Sequence, residues 1–147
     1  MARIVEVGAK EATAREATAE AVMVTTPEAC SQLVAGTKKG DVLEAARVAG
    51  LMAAKRTHEL LPFCHPVSIT GADVAIDADE DSGRLTVRTT VRATDRTGVE
   101  MEALTAASVA ALSLYDAAKA YDRAASIEGV RLLEKRGGKS GDYRAKD

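Results

Sequence analysis

The segment Val99 to Asp122, VEMEALTAASVAALSLYDAAKAYD, limits the possible folds more than any other part of the chain. Eight alanines (103, 106, 107, 110, 111, 117, 118 and 120) favour a helix, and Met101, Leu104, Val109, Leu112, Leu114 and Tyr115 fall on more than one of its faces. A helix that is apolar nearly all round must be covered on every side, so it should pack on a sheet and also against a second chain. Thr97 and Glu100 are read as its cap. Aromatic residues are only 3% and tryptophan is absent, so small residues carry much of the packing and bury little apolar area each. Contacts between subunits are expected to supply the rest.

Other elements follow from local signals. AVMVTT at 21 to 26 reads as a short strand, and Thr26-Pro27-Glu28 as the cap, first-position proline and first-turn acid of a helix ending near Gly36. Asp41 and Glu44 resemble a capping box, opening a helix that runs through Lys55 and Arg56 to Pro62. VSITGADVAIDA and RLTVRTTVRAT alternate around the acidic turn DEDSG, the pattern of an antiparallel hairpin. SIEGVRLLEK reads as a last strand. The charged, alanine-rich residues 9 to 20 read as part of a loose N-terminal arm (1–20), and residues 136–147 as a glycine-rich tail. The order β, α, α, β, β, α, β implies an α+β ferredoxin-like sandwich, with helices on one face of an antiparallel sheet.

A chain of 147 residues with 46% hydrophobic content can bury one core, so a single domain is expected. Its net charge of -2 gives no overall field for a nucleic-acid backbone or an anionic membrane, and an anion site must be local. The opening MARIVEVGAK lacks an apolar signal region, and the longest uncharged run, Ala103 to Tyr115, is too short to span a bilayer. Two cysteines, Cys30 and Cys64, form no disulfide framework. Neither nucleic acid nor a membrane is expected as a partner, and a cytoplasmic location fits.

The hexapeptide LPFCHP, residues 61 to 66, sets Cys64 beside His65 between two prolines. A zinc site needs about four ligands at spacings this chain lacks, so no metal site is expected. Adjacent residues of an extended segment point to opposite sides, which disfavours a Cys-His dyad and leaves Cys64 as a small buried hydrophobe. His65 is placed either to donate a hydrogen bond to a bound oxygen or move a proton, or to be a satisfied structural histidine. KRGGKSG near the C-terminus lacks the first glycine of a Walker loop and has no helix after it. Gly-Gly amides beside Lys135 and Lys139, and the Lys38-Lys39-Gly40 turn, remain either local anion cradles or solvated loops.

Asp116 and Lys119 lie three residues apart on one helical face, where a buried carboxylate and ammonium would hold each other charged. Spacing alone is equally that of a structural ion pair. Glu102 falls near the same stripe, but 14 residues away, about 21 Å along the axis. One chain cannot bring both to one reacting atom. Two such helices paired antiparallel across a twofold would bring Glu102 of one toward Asp116 and Lys119 of the other.

Three blocks, KKGDVLEAARVAGLMAAKRTHELLPFCHP, RTGVEMEALTAASVAALSLYDAAKAYDR and VRLLEKRGGKSGDY, together closely resemble the MoaC family, the cyclic pyranopterin monophosphate synthases of molybdenum-cofactor biosynthesis. The resemblance extends from Val5 to Tyr143. It implies a ferredoxin-like fold, a hexamer built as three dimers, and sites where two subunits of a dimer meet. It further implies a phosphorus-oxygen lyase that converts 3′,8-cyclo-7,8-dihydroguanosine triphosphate to cyclic pyranopterin monophosphate and diphosphate. No cofactor is implied, though magnesium could accompany the triphosphate. The family's substrate-contacting positions fall on Phe63, Cys64 and His65, and on Met101 and Glu102. Its catalytic aspartate falls on Asp116, and its lysines on Lys39, Lys119 and Lys135. The resemblance thus assigns Asp116 and Lys119 to proton transfer, Lys39 to acid catalysis or triphosphate charge, and His65 with Glu102 to the purine-derived ring. Phe63 stands where the family usually has leucine, and Asp95-Arg96 where it has a small residue and lysine. The competing expectation is a non-catalytic paralogue that binds nucleotide triphosphates; a metal-dependent hydrolase would need ligands the chain lacks.

Overall fold

The computed structural model describes residues 1–146. Its elements are β1 (Thr13–Val24), α1 (Pro27–Ala35), α2 (Val42–Lys55), α3 (Thr57–Leu60), β2 (Ile69–Asp79), β3 (Arg84–Asp95), α4 (Glu100–Ala118), β4 (Ser126–Arg136) and β5 (Tyr143–Arg144). The strands form one sheet in the order β2-β3-β1-β4-β5, every neighbouring pair antiparallel. With α4 lying across β1, β3 and β4, and α2 over β2, this is the ferredoxin-like α+β arrangement.

Local signals set several boundaries. Thr26 accepts a hydrogen bond from the Ala29 N–H at 3.1 Å and Pro27 occupies the first turn, so α1 starts where a cap and a missing donor coincide. Asp41 accepts from the Glu44 N–H at 3.0 Å and starts α2 in the same way. Asp79 pairs with Arg84 to close the β2–β3 hairpin around the acidic turn.

Four expectations are corrected. The arm read over residues 1–20 is loose in part only, because β1 occupies Thr13 onward and is the central strand, paired to β3 on one side and β4 on the other. Ala17, Ala19, Ala21 and Met23 point into the core, and Thr18 and Glu20 point out. This is a period-two strand, but its inward residue is mostly alanine, which carries little strand preference. The single helix from Asp41 to Pro62 is broken at Arg56, whose N–H bonds three residues back to the Ala53 carbonyl. The buried Thr57 hydroxyl donates to the same carbonyl at 2.9 Å, competing with the helical ladder. Thr97 does not cap α4: the N-cap position is Val99, which is driven into the core and makes no side-chain cap bond. The tail from 136 contains β5, with Tyr143 and Arg144 paired to Lys135 and Glu134; Asp147 lies outside the described residues.

The core is one layer between sheet and helices. Leu85, Val87 and Val91 of β3 meet Ala103, Ala106, Ala107, Ala110, Ala111 and Leu114 of α4, all fully buried. Alanine allows close approach: a Cβ built on Gly50 of α2 would stand 3.1 Å from the Ala106 carbonyl oxygen. The buried Thr89 hydroxyl donates to the Ala103 carbonyl at 2.6 Å and ties the sheet to the helix. No described helix is long and apolar enough to cross a membrane.

Candidate active site

α2 and α4 pack antiparallel, which follows from three contacts along them. The Lys38-Lys39-Gly40 turn before α2 reaches Asp116 at the end of α4, Gly50 meets Ala106 at mid-length, and Cys64 beyond α3 reaches Glu102 at the start of α4. Polar residues therefore gather at the two ends of α4.

At the C-terminal end, Asp116 is held between two ammonium groups. Its Oδ1 accepts from Lys119 Nζ at 2.7 Å and its Oδ2 from Lys39 Nζ at 3.3 Å. The carboxyl of Asp116 is held below its ordinary range by the Lys119 hydrogen bond first and the Lys39 bond next, with both charges adding. Lys119 is raised in return, chiefly by its hydrogen bond to Asp116. The expected burial of this pair is not found in the single chain, where the Asp116 and Lys119 side chains are 56% and 55% exposed. Exposed pairs contribute little stability, so folding of this chain does not account for three converging charges. Beside them runs an open groove of about 510 Å³, lined by Val109, Leu112, Ser113, Tyr115, Asp116 and Lys119. Leu112 there is exposed, as expected for a helix whose sequence has almost no polar face.

At the N-terminal end the opposite holds. Glu102 is 2% exposed, its Oε2 accepts from the Cys64 thiol at 3.3 Å, and its Oε1 has no hydrogen-bond partner. An unsatisfied buried acceptor costs about 1–3 kcal/mol. Burial is the largest effect on Glu102 and raises its pKa, with the Glu100 charge adding to the rise. Its own backbone N–H, the Cys64 hydrogen bond and the His58 charge pull the other way. Burial, followed by the Glu102 charge and the hydrogen bond to it, pushes the Cys64 thiol up to about 11. Such a thiol stays protonated at neutral pH and is a donor, not a nucleophile.

The structure thus brings Cys64 to Glu102, and Lys39 to Asp116 and Lys119, and keeps the two groups apart. Phe63 and Met101 are exposed at the Glu102 end. His65 is partly buried, and its imidazole makes no hydrogen bond among the described residues. The shared stripe expected for Glu102 and Asp116 is not shared in use, because one carboxyl turns into the chain and the other out of it. Lys135 on β4 donates to Ser140 Oγ at 2.5 Å and lines a cavity of roughly 660 Å³ with Glu100, Arg131, Asp142 and Tyr143. Glu100, read with Thr97 as the cap of α4, stands beside Lys135 because β4 packs on α4. Gly137 and Gly138 have φ of 89° and 86°, and a Cβ on either would overlap Ala14 O or the Arg15 guanidinium, so this turn sits directly on β1. Among the described residues, no group of three or more His, Cys, Asp or Glu side chains is placed to hold a metal ion.

Fold and site together define a small α+β protein with a lysine–aspartate–lysine cluster at one end of its central helix and a thiol–carboxyl pair at the other. The chain belongs to the MoaC family, whose model matches residues 4–138. A cyclic pyranopterin monophosphate synthase of Parvibaculum lavamentivorans is 53% identical over 147 residues, covering 99% of this chain and 91% of that protein. Proteins of the same name from Chloroflexus aggregans and Pelotomaculum thermopropionicum are 51% and 52% identical, each over 99% of this chain and 89% and 86% of their own lengths.

Proposed function

We propose that this chain is a cyclic pyranopterin monophosphate synthase, a phosphorus-oxygen lyase acting in the cytoplasm on (8S)-3′,8-cyclo-7,8-dihydroguanosine 5′-triphosphate. The observation that carries the reading is identity of about half across nearly the whole chain to proteins of that name. The site chemistry is compatible with it. The reaction is redox-neutral: a ring rearranges by proton transfers, a substrate hydroxyl then bonds to the α-phosphorus, and the bond from that phosphorus to the bridging oxygen breaks to release diphosphate. Such a sequence needs proton carriers and a cationic cradle, and no resident redox group. Magnesium, where present, would arrive with the triphosphate.

In this reading Asp116 and Lys119 move protons, Lys39 supplies acid catalysis or neutralises the triphosphate, and Lys135 adds to the cradle. His65 and Glu102 hold the purine-derived ring, with Phe63, Cys64 and Met101 in the substrate-contacting segments beside them. In the free chain Asp116 is a weak base and Lys119 a weak acid, because each stabilises the charged form of the other. Covering them with a partner subunit and loading Lys39 with phosphate would desolvate the pair and move both toward the working range. The ends of α4 are about 21 Å apart, so both clusters can serve one ligand only across a subunit boundary. A homohexamer of three dimers, with two shared sites per dimer, fits that need and the exposed α4 groove.

Two measurements test the reading. The chain should release diphosphate from the cyclised guanosine triphosphate, and an inert but binding-competent chain would mark the non-catalytic paralogue instead. Mixing Glu102→Gln subunits with Asp116→Asn subunits should recover part of the parent rate; a mixture as inactive as either variant alone would rule out the shared site.

A further inference from the structure

The two sides of β3 end at different places. Its pairing to β2 stops at Ile69 with Ala93, while its pairing to β1 runs on to Thr13 with Asp95. Past the last β2 pair the ladder no longer holds the chain that leads into β2, and the Asp95 side chain takes over: its Oδ2 accepts from the Ser68 N–H at 2.8 Å. Asp95 is itself held on two more sides. Its Oδ1 accepts from the Arg96 N–H at 2.7 Å, and its carbonyl accepts from Arg15 Nε of β1 at 2.9 Å. The Ser68 N–H has the largest effect on this carboxyl and keeps it below its ordinary range; partial burial opposes, and the Arg96 N–H and the Arg96 and Arg15 charges add to the lowering.

Ser68 ends the segment that carries the Cys-His pair. At its other end the Cys64 N–H donates to the Leu61 carbonyl at 3.1 Å, and the Cys64 thiol meets Glu102. Between these anchors His65, Pro66 and Val67 belong to no helix or strand, and Pro66 has no N–H to offer. The His65 imidazole makes no hydrogen bond among the described residues, so the run of its backbone sets where the ring stands. We propose that Asp95 is a positioning residue: by receiving the Ser68 N–H it pins the chain behind His65 and so aims that imidazole at the ligand, in register with α4, which opens just after Asp95. The proposal rests on the reading of His65 as a residue that holds the substrate ring.

The test labels histidine rings with 13C in the full-length protein, which has two histidines, and assigns His65 by the loss of its signal in His65→Gln. His58, on α3, is the internal reference. In Asp95→Ala the His65 signal should move while that of His58 stays, and amide exchange in the peptide from Phe63 to Thr70, read by mass spectrometry, should quicken about tenfold. KM for the cyclised guanosine triphosphate should rise about tenfold while kcat changes less than about threefold. Asp95→Asn keeps an oxygen acceptor for the Ser68 N–H and should return the signal, the exchange and KM most of the way to the parent's. Asp95→Glu keeps the charge but moves the oxygens by a methylene, and should displace His65 alone, which decides the matter even if the alanine variant does not fold. A His65 signal unmoved in the alanine and glutamate variants, His58 moving as much as His65, or a displaced His65 with KM unchanged overturns the proposal. Failure of the parent to release diphosphate would instead defeat the functional reading, and the two histidine signals would still decide whether Asp95 places the His65 ring.

Discussion

Gly50 of α2 lies so close to Ala106 of α4 that a Cβ would stand 3.1 Å from the Ala106 carbonyl oxygen and 3.3 Å from the Ala110 Cβ. This spacing carries the turn before α2 to the end of α4 and sets Lys39 against Asp116. Gly50→Val should therefore destabilise the fold by about 1–3 kcal/mol, read from urea unfolding, because the α4 backbone behind it cannot retreat. The same variant should lose turnover even where it remains folded. Unchanged stability would show that the helices are not in close contact there.

Asp116→Asn removes the carboxylate that holds two ammonium groups together. Diphosphate release should fall by about two to four orders of magnitude. The unfolding midpoint should stay at the parent's value, since these side chains are largely exposed. A large loss of stability would make the cluster structural.

Glu102→Gln isolates the cost of ionising a buried acid. The folded pKa of Glu102 lies above its ordinary value of 4.5, so the native state holds that proton longer than the unfolded chain does. Stability from this group is fully present below the ordinary value and is lost as pH rises through the raised one. The glutamine variant should thus gain on the parent over that window and keep a constant margin above it, measured by denaturant unfolding at a series of pH values. A margin that shrinks with rising pH would reverse the assignment.

Cys64 should react slowly with iodoacetamide at pH 8, with a rate that climbs as pH approaches about 11. The Glu102 charge helps hold the thiol up, so Glu102→Gln should speed alkylation at pH 8. Mass spectrometry separates this site from Cys30, which is fully buried.

Truncation separates the true arm from the strand. Removing residues 1–11 should leave the unfolding midpoint nearly unchanged, because these residues are almost all exposed. Removing residues 1–20 should abolish folding, since it takes away most of the central strand and its pairing to both β3 and β4.

Features that depend on a few neighbouring residues could be read directly. The caps at Thr26 and Asp41 are hydrogen bonds spanning three residues, the hairpin closes across one acidic turn, and the apolar all-round character of α4 is a property of its own sequence. The residues that gather at the two ends of α4 also stand within the three blocks, so their presence was legible there. β1 was not, since alanine at 17, 19 and 21 has too small a side chain to announce which face of a strand it occupies. The break at Arg56 escaped notice for a similar reason: it depends on Thr57 being buried and turning its hydroxyl back on the helix.

By itself the sequence determined the order of most elements, the family, and the set of groups available for chemistry: Lys39, His65, Glu102, Asp116, Lys119 and Lys135. Tertiary structure alone decided how these are grouped, sinking Glu102 against Cys64 and leaving Asp116 in the open between two lysines. Periodicity along one helix gives the angle of a side chain, but its solvent exposure and its partners depend on what packs beside it. Here that is the antiparallel α2, the α3 turn and the sheet, and the contact of Lys39 with Asp116 joins residues 77 apart in sequence.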